Sequence, residues 1–202
     1  MIREAELFVM SEQVLIEVVG RIRGAPWEIV LPPLLDKPGA DRPTSMRDAV
    51  GYYALDDACV PDLLAGRTSD AVESVGDLLG EQPHAALIPI VEAACTAARK
   101  VDDGDAVVHA DGRDLSSRDY LSELTITRSF LAHEIAMHLG SRACPLTEEL
   151  ARGLCETTGP AAARWRAAGF FREPMPLPAD VSWRDRFLLT TGRDPHPLED
   201  RH

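Results

Sequence analysis

The run His133-Glu134-Ile135-Ala136-Met137-His138 puts two imidazoles and a carboxylate close together, the side chains that hold zinc and similar divalent ions. A zinc-peptidase helix needs its two His four residues apart with a Glu between them as base. Here they are five apart, so on a regular helix they diverge by about 140° and one ion does not take both. Glu134 and His138 do share a face, at i and i+4. With Leu124 as the centre of the apolar arc, Leu131 and Ile135 fall within about 20°, His138 within about 40°, Glu134 about 80° away and His133 on the far side. The wheel therefore expects His138 to point inward and His133 outward.

A second group lies upstream. Met46, Val50, Tyr53, Asp57, Val60 and Leu64 fall on one helical face, which sets Asp57 among hydrophobes, where a carboxylate is costly unless paired or metal-bound. Tyr52 and Asp56 form the neighbouring i, i+4 stripe. Three ligands from two helices with one open position is what a catalytic metal requires. Glu134, His138 and either Asp57 or Asp56 are the candidate set, with zinc first and nickel or manganese as alternatives. Tyr52 and Tyr53 are the candidate catalytic side chains, as proton donors or substrate-orienting groups. Arg128 is near the inner face and offers the competing reading, an ion pair with Asp57 or Glu134.

The elements that must position these residues are helical. Leu7, Met10, Val14, Leu15, Val18 and Ile22 predict an amphipathic helix to about Arg23, stopped by Gly24 and Pro26. A Pro-rich connector carrying Trp27, Ile29, Val30 and Leu31 follows as an ordered loop. Ser45 and Asp48 open the second helix with a near-capping box, and Pro61 is set to kink or restart it. Two further helical pieces, 68–79 and 83–101, are separated by Gly80. Residues 105–115 break the pattern: Asp111-Gly112 is a type I′ turn signal between short extended runs. Ser116 and Asp119 then open the best-defined helix, ending at Gly140. Another begins after Pro145 at Glu148-Glu149 and breaks near Gly159-Pro160. A strap with Pro174, Pro176 and Pro178 leads to a last short helix at about 180–189.

The chain is expected to be a single all-α domain over 1–202, with a bundle core at about 3–168 and a C-terminal strap and helix at 169–202. The 21 Lys and Arg against 33 Asp and Glu give a net charge of −12, which argues against binding nucleic acid or an anionic membrane surface. There is no signal-like start and no apolar run of bilayer length, so a cytoplasmic location is expected. Cys59, Cys95, Cys144 and Cys155 are widely spaced and read as reduced, mostly buried thiols.

Several strings together resemble the DinB-like superfamily, in the actinobacterial branch that includes mycothiol-dependent maleylpyruvate isomerase. They are Ser45-Met46-Arg47-Asp48-Ala49-Val50-Gly51-Tyr52 after Trp27 and the Pro-rich connector, Gly76-Asp77-Leu78-Leu79-Gly80 with Pro83, Arg128 through Gly140, and Thr191-Gly192-Arg193-Asp194-Pro195. The resemblance implies a four-helix bundle, a homodimer and a divalent metal held by a helix-two His and a Glu-x-x-x-His pair. Glu134 and His138 match that pair in type and spacing. Tyr52 stands at the helix-two His position, with Asp56 or Asp57 one or two turns on. The implied activity is metal-dependent activation of a low-molecular-weight thiol such as mycothiol, or of water, against a small-molecule electrophile. Arg193 in the family-like ending is the candidate cofactor-binding residue, through a carboxylate. The alternative is a catalytically degenerate bundle that binds a small ligand or a partner as a homodimer.

Overall fold

A computed structural model describes residues 1–36, 44–68 and 78–196. Helix α1 spans Arg3–Val19 and ends short of Arg23. Its last turn tightens there: Arg21 and Ile22 donate to Val18 and Val19 rather than to carbonyls four back. The connector makes a 3-10 turn at Ala25–Glu28. Strand β1, Val30–Leu31, then pairs antiparallel with β2, Thr44–Ser45. Leu31 is buried while Val30 is exposed, so the connector is tied down on one side, as an ordered loop.

Helix α2 spans Met46–Leu64. The Ser45 hydroxyl accepts from the Asp48 backbone N–H at 3.0 Å and donates to the Asp48 carboxylate at 2.8 Å. The helix runs through Pro61 to Leu64 without restarting. The proposed helical piece at 68–79 lies almost wholly outside the described residues. Helix α3 is Pro83–Ala98, with Pro83 in its first turn, where no N–H partner is needed.

Strands β3, Val107–Ala110, and β4, Arg113–Ser116, form the expected hairpin. Asp111 and Gly112 both have positive φ, 52° and 69°, as a type I′ turn requires. Helix α4, Ser117–His138, starts with the Ser116 hydroxyl accepting from Asp119 N–H. Helix α5 is Glu148–Thr158, capped by Thr147. A 3-10 turn at Gly159–Ala161 separates it from α6, Ala162–Ala167. Beyond the strap, α7 spans Trp183–Thr190.

The protein is mainly helical, with two small antiparallel sheets. Helix α1 lies along α4 and also against α3, α2 packs on α3, and α5 packs on α7. Helices α2 and α4 meet far less closely. The C-terminal segment belongs to the same core: Phe130 of α4 stacks on Phe187 of α7 at 5.6 Å and meets Phe171 edge-on at 6.4 Å. No helix among the described residues is long and apolar enough to cross a membrane. Cys95 and Cys144 are buried, Cys59 and Cys155 are half-buried, and none is in a disulfide.

The orientation expected for the two histidines is reversed. His133 is 2% exposed, while a third of the His138 side chain is exposed. Helix α4 has no single apolar arc, because residues around its whole circumference from Leu124 to His133 are buried, as in a helix enclosed on all sides. His133 faces the C-terminal segment, its Nε2 3.4 Å from the Asp194 carbonyl.

Candidate ligand-binding cavity

The polar centre of the molecule is Arg128. It stands in the middle of α4 with no solvent exposure, and its planar fork must place every N–H inside the protein. Nε donates to Glu12 Oε1 at 3.2 Å and Nη2 to Asp57 Oδ1 at 2.5 Å and the Tyr53 carbonyl at 3.2 Å. Nη1 donates to the Thr127 hydroxyl at 3.1 Å and lies 3.5 Å from Asp56 Oδ2. The guanidinium also sits over the Tyr53 ring, 4.8 Å from its centre, a cation–π contact.

Glu12 and Asp57 are both fully buried, and each has one oxygen that receives no N–H or hydroxyl hydrogen bond. Burial and then the Asp57 charge push the Glu12 carboxyl well above its usual range. A proton held on Glu12 and donated to Asp57 would satisfy both oxygens. Burial also raises Asp57, with Arg128 pulling it down. The neutral set of Glu12, Asp57⁻ and Arg128⁺ is how a buried guanidinium is tolerated. Asp57 is thus occupied by the ion pair that competed with the metal reading.

Where α2 and α4 diverge, a cavity of about 800 Å³ opens between them, the hairpin and the connector, a size suited to a small organic molecule. Helix α2 contributes Tyr52, Tyr53 and Asp56; α4 contributes Tyr120, Thr127 and Arg128. Leu31, Leu34 and Phe170 form part of the apolar wall. At the rim, Arg113 is held bidentate by Glu123 at 3.0 and 2.8 Å. Burial raises Tyr53 to about 12 and pushes Tyr120 up further, so both hydroxyls are protonated at neutral pH. At Asp56, partial burial pushes the carboxyl up against the pull of Arg128.

Three of the residues singled out in the sequence, Tyr52, Tyr53 and Asp56, thus come together on the cavity wall. The others do not join them. Asp57 points behind the wall at Arg128. Glu134 and His138 pair with each other near the end of α4: His138 Nδ1 is 2.8 Å from the Glu134 carbonyl and 3.8 Å from its carboxylate. Burial raises Glu134, with His138, Arg193 and Arg172 pulling it down. Among the described residues no three His, Cys, Asp or Glu side chains gather as a metal site. Arg193 is 4% exposed and donates to the carbonyls of Leu34 at 2.5 Å, Phe170 at 3.5 Å and Thr191 at 3.0 Å. It also covers the Phe130 ring, 3.3 Å from its centre. It fastens the wall from behind rather than reaching into the cavity, and burial lowers its pKa to about 9.

No protein-family model, curated protein or solved structure matches the chain.

Glu12, Tyr120 and Thr127 are the site residues the sequence reading passed over. Glu12 carried the same signal as Asp57, a carboxylate on an apolar face, between buried Phe8 and Leu15. Tyr120 and Thr127 carried none, because their importance comes from the gap between α2 and α4.

Proposed function

We propose that this chain is a small-molecule-binding helical protein of the DinB-like type, in which a binding cavity stands in place of the family's metal centre. One observation carries the reading: the cavity between α2 and α4 has a polar wall built around Arg128, and Tyr52 lines it. Tyr52 is the residue that the family resemblance aligns with a metal-binding His. The cavity is therefore where a DinB-like protein would do its chemistry, with different side chains around it. The residues present do not fit a metal there. Asp57 is spent on Arg128, and the Glu134–His138 pair lies outside the cavity lining.

Ala49 of α2 also lines the cavity and is 3% exposed. A phenyl group grown from it fills the space with little change to the surface. Thermal-shift screening of the purified protein against a library of small molecules is expected to give stabilising ligands, because binding only the folded state raises its stability. Ala49→Phe is expected to abolish their effect. Ligands that stabilise wild type and Ala49→Phe equally would sink the proposal, as would a screen without any.

A further inference from the structure

We infer that the cavity is built for an organic cation, an amine or quaternary ammonium on an apolar body. The inference rests on the binding reading above and adds the charge of the ligand.

The first argument is the balance of charge around the cavity. Four carboxylates, Asp56, Asp57, Asp111 and Glu123, stand against three guanidinium groups, Arg113, Arg128 and Arg193, among the described residues in or directly behind the lining. One negative charge is left over, and ionising Glu12 would only add a second. The positive charges are also engaged. Arg128 has no exposed surface and its N–H groups are all engaged. Arg113 is gripped bidentate by Glu123, with Asp111 a further 3.9 Å neighbour. The negative charges are accessible: the Asp56 side chain is 55% exposed and that of Asp111 89%. An anion entering the cavity meets carboxylates and, as the exposed cation of the lining, an Arg113 already paired with Glu123.

The second argument is independent of charge. Tyr120 is 5% exposed and lines the cavity, and its hydroxyl has no protein partner among the described residues. A phenol buried to this degree normally finds one. Its hydroxyl is left to pair with whatever occupies the cavity, and its oxygen can accept an N–H there. Tyr52 is 57% exposed and offers ring surface at the mouth, the kind of face that binds ammonium groups. The Leu31 and Leu34 side of the cavity suits the apolar body.

Three small probes with one aromatic body and different charge test this: phenethylamine, 2-phenylethanol and phenylacetate, each titrated by ligand-observed NMR at neutral pH and low salt. Phenethylamine is expected to bind about tenfold more tightly than the alcohol, with phenylacetate weakest, as a net negative site at partial exposure dictates. Asp56→Asn and Asp111→Asn are each expected to lower amine affinity several-fold and leave the alcohol unchanged. Asn suits the positive φ of residue 111, so that variant folds as wild type does. If the alcohol or phenylacetate binds as well as the amine and Ala49→Phe still abolishes binding, the charge inference is overturned and the binding reading stands. If none of the three binds at millimolar concentration, both are overturned.

Discussion

Glu12 of α1 and Asp57 of α2, both without solvent exposure, hold the same guanidinium from two sides, Glu12 at Nε and Asp57 at Nη2 of Arg128. Three of the long helices are thereby joined through one cation. The two acids are not equivalent: burial and the neighbouring Asp57 charge raise Glu12 well above its usual range. Glu12→Gln keeps the shape of the neutral acid and removes the cost of protonating it on folding, so at neutral pH it is expected to be at least as stable as wild type. Asp57→Asn removes the only full negative charge buried with Arg128 and is expected to cost about 3 kcal/mol, and Arg128→Met about 3–5 kcal/mol. Urea unfolding at neutral pH measures all three, and equal losses for Glu12→Gln and Asp57→Asn would place the proton elsewhere.

The same pair has a pH signature. The folded-state pKa of Glu12 is raised above its ordinary value of 4.5, so over that interval the folded protein holds a proton that the unfolded chain has released. Stability from this group is present below pH 4.5 and falls as pH rises toward the folded pKa. Glu12→Gln removes that slope. The difference in unfolding free energy, variant minus wild type, is expected to climb steadily in the variant's favour above pH 4.5. A flat difference would mean that Glu12 titrates normally.

His133 acts in the opposite sense. Burial lowers its pKa from 6.5 to about 4, and its Nδ1 has no hydrogen-bond partner among the described residues. The folded protein keeps the ring neutral where the unfolded chain has protonated it. Its contribution is therefore complete above pH 6.5 and lost as pH falls toward 4, up to about 3 kcal/mol for a shift of this size. His133→Asn cannot titrate. The gap between wild type and variant, followed by urea midpoint, should shrink in that window; a gap independent of pH would refute burial of a neutral ring.

Local signals in the sequence were read correctly, and arrangement was not. Ser45 and Ser116 cap their helices and Asp111-Gly112 turns its hairpin because each depends on a few adjacent residues. Asp57 stood out because a carboxylate interrupts an apolar stripe. His133 and His138 were reversed because the wheel assumed that α4 faces the core on one side, whereas the hairpin, α1 and the C-terminal segment surround it. The cavity was invisible because it depends on α2 and α4 diverging, a property of the packed helices and of neither one alone.

Gly192 and Arg193 act together to close the back of the cavity wall. Gly192 has φ +75°, and a Cβ there would lie 2.4 Å from the Glu173 carbonyl oxygen. Only glycine passes this point unstrained, and the turn delivers Arg193 to the carbonyls of Leu34, Phe170 and Thr191. Arg193→Met keeps the apolar stem and removes the donors, which leaves buried carbonyls unpaired at about 1–3 kcal/mol each. Arg193→Lys is not expected to rescue it, because an ammonium cannot reproduce the fork. Hydrogen exchange should report faster opening around Leu34 and Phe170 in both variants, and unchanged exchange there would show that Arg193 does not fasten the cavity wall.

The Glu134–His138 pair decides between a cavity that binds and a centre that coordinates metal. The two side chains are partly exposed and 3.8 Å apart, a spacing that an i, i+4 pair adopts on any helix surface and that is worth about 0.5 kcal/mol or less. Among the described residues no third His, Cys, Asp or Glu joins them. His138→Ala is therefore expected to shift stability by no more than that amount, and Glu134→Gln to behave similarly. Elemental analysis of protein purified without chelator, and again after loading with zinc, nickel or manganese, is expected to give well below one metal per chain in wild type and both variants. One metal per chain that disappears in His138→Ala would instead make the pair a true ligand set, and the cavity beside Tyr52 would then be the substrate pocket of a metalloenzyme.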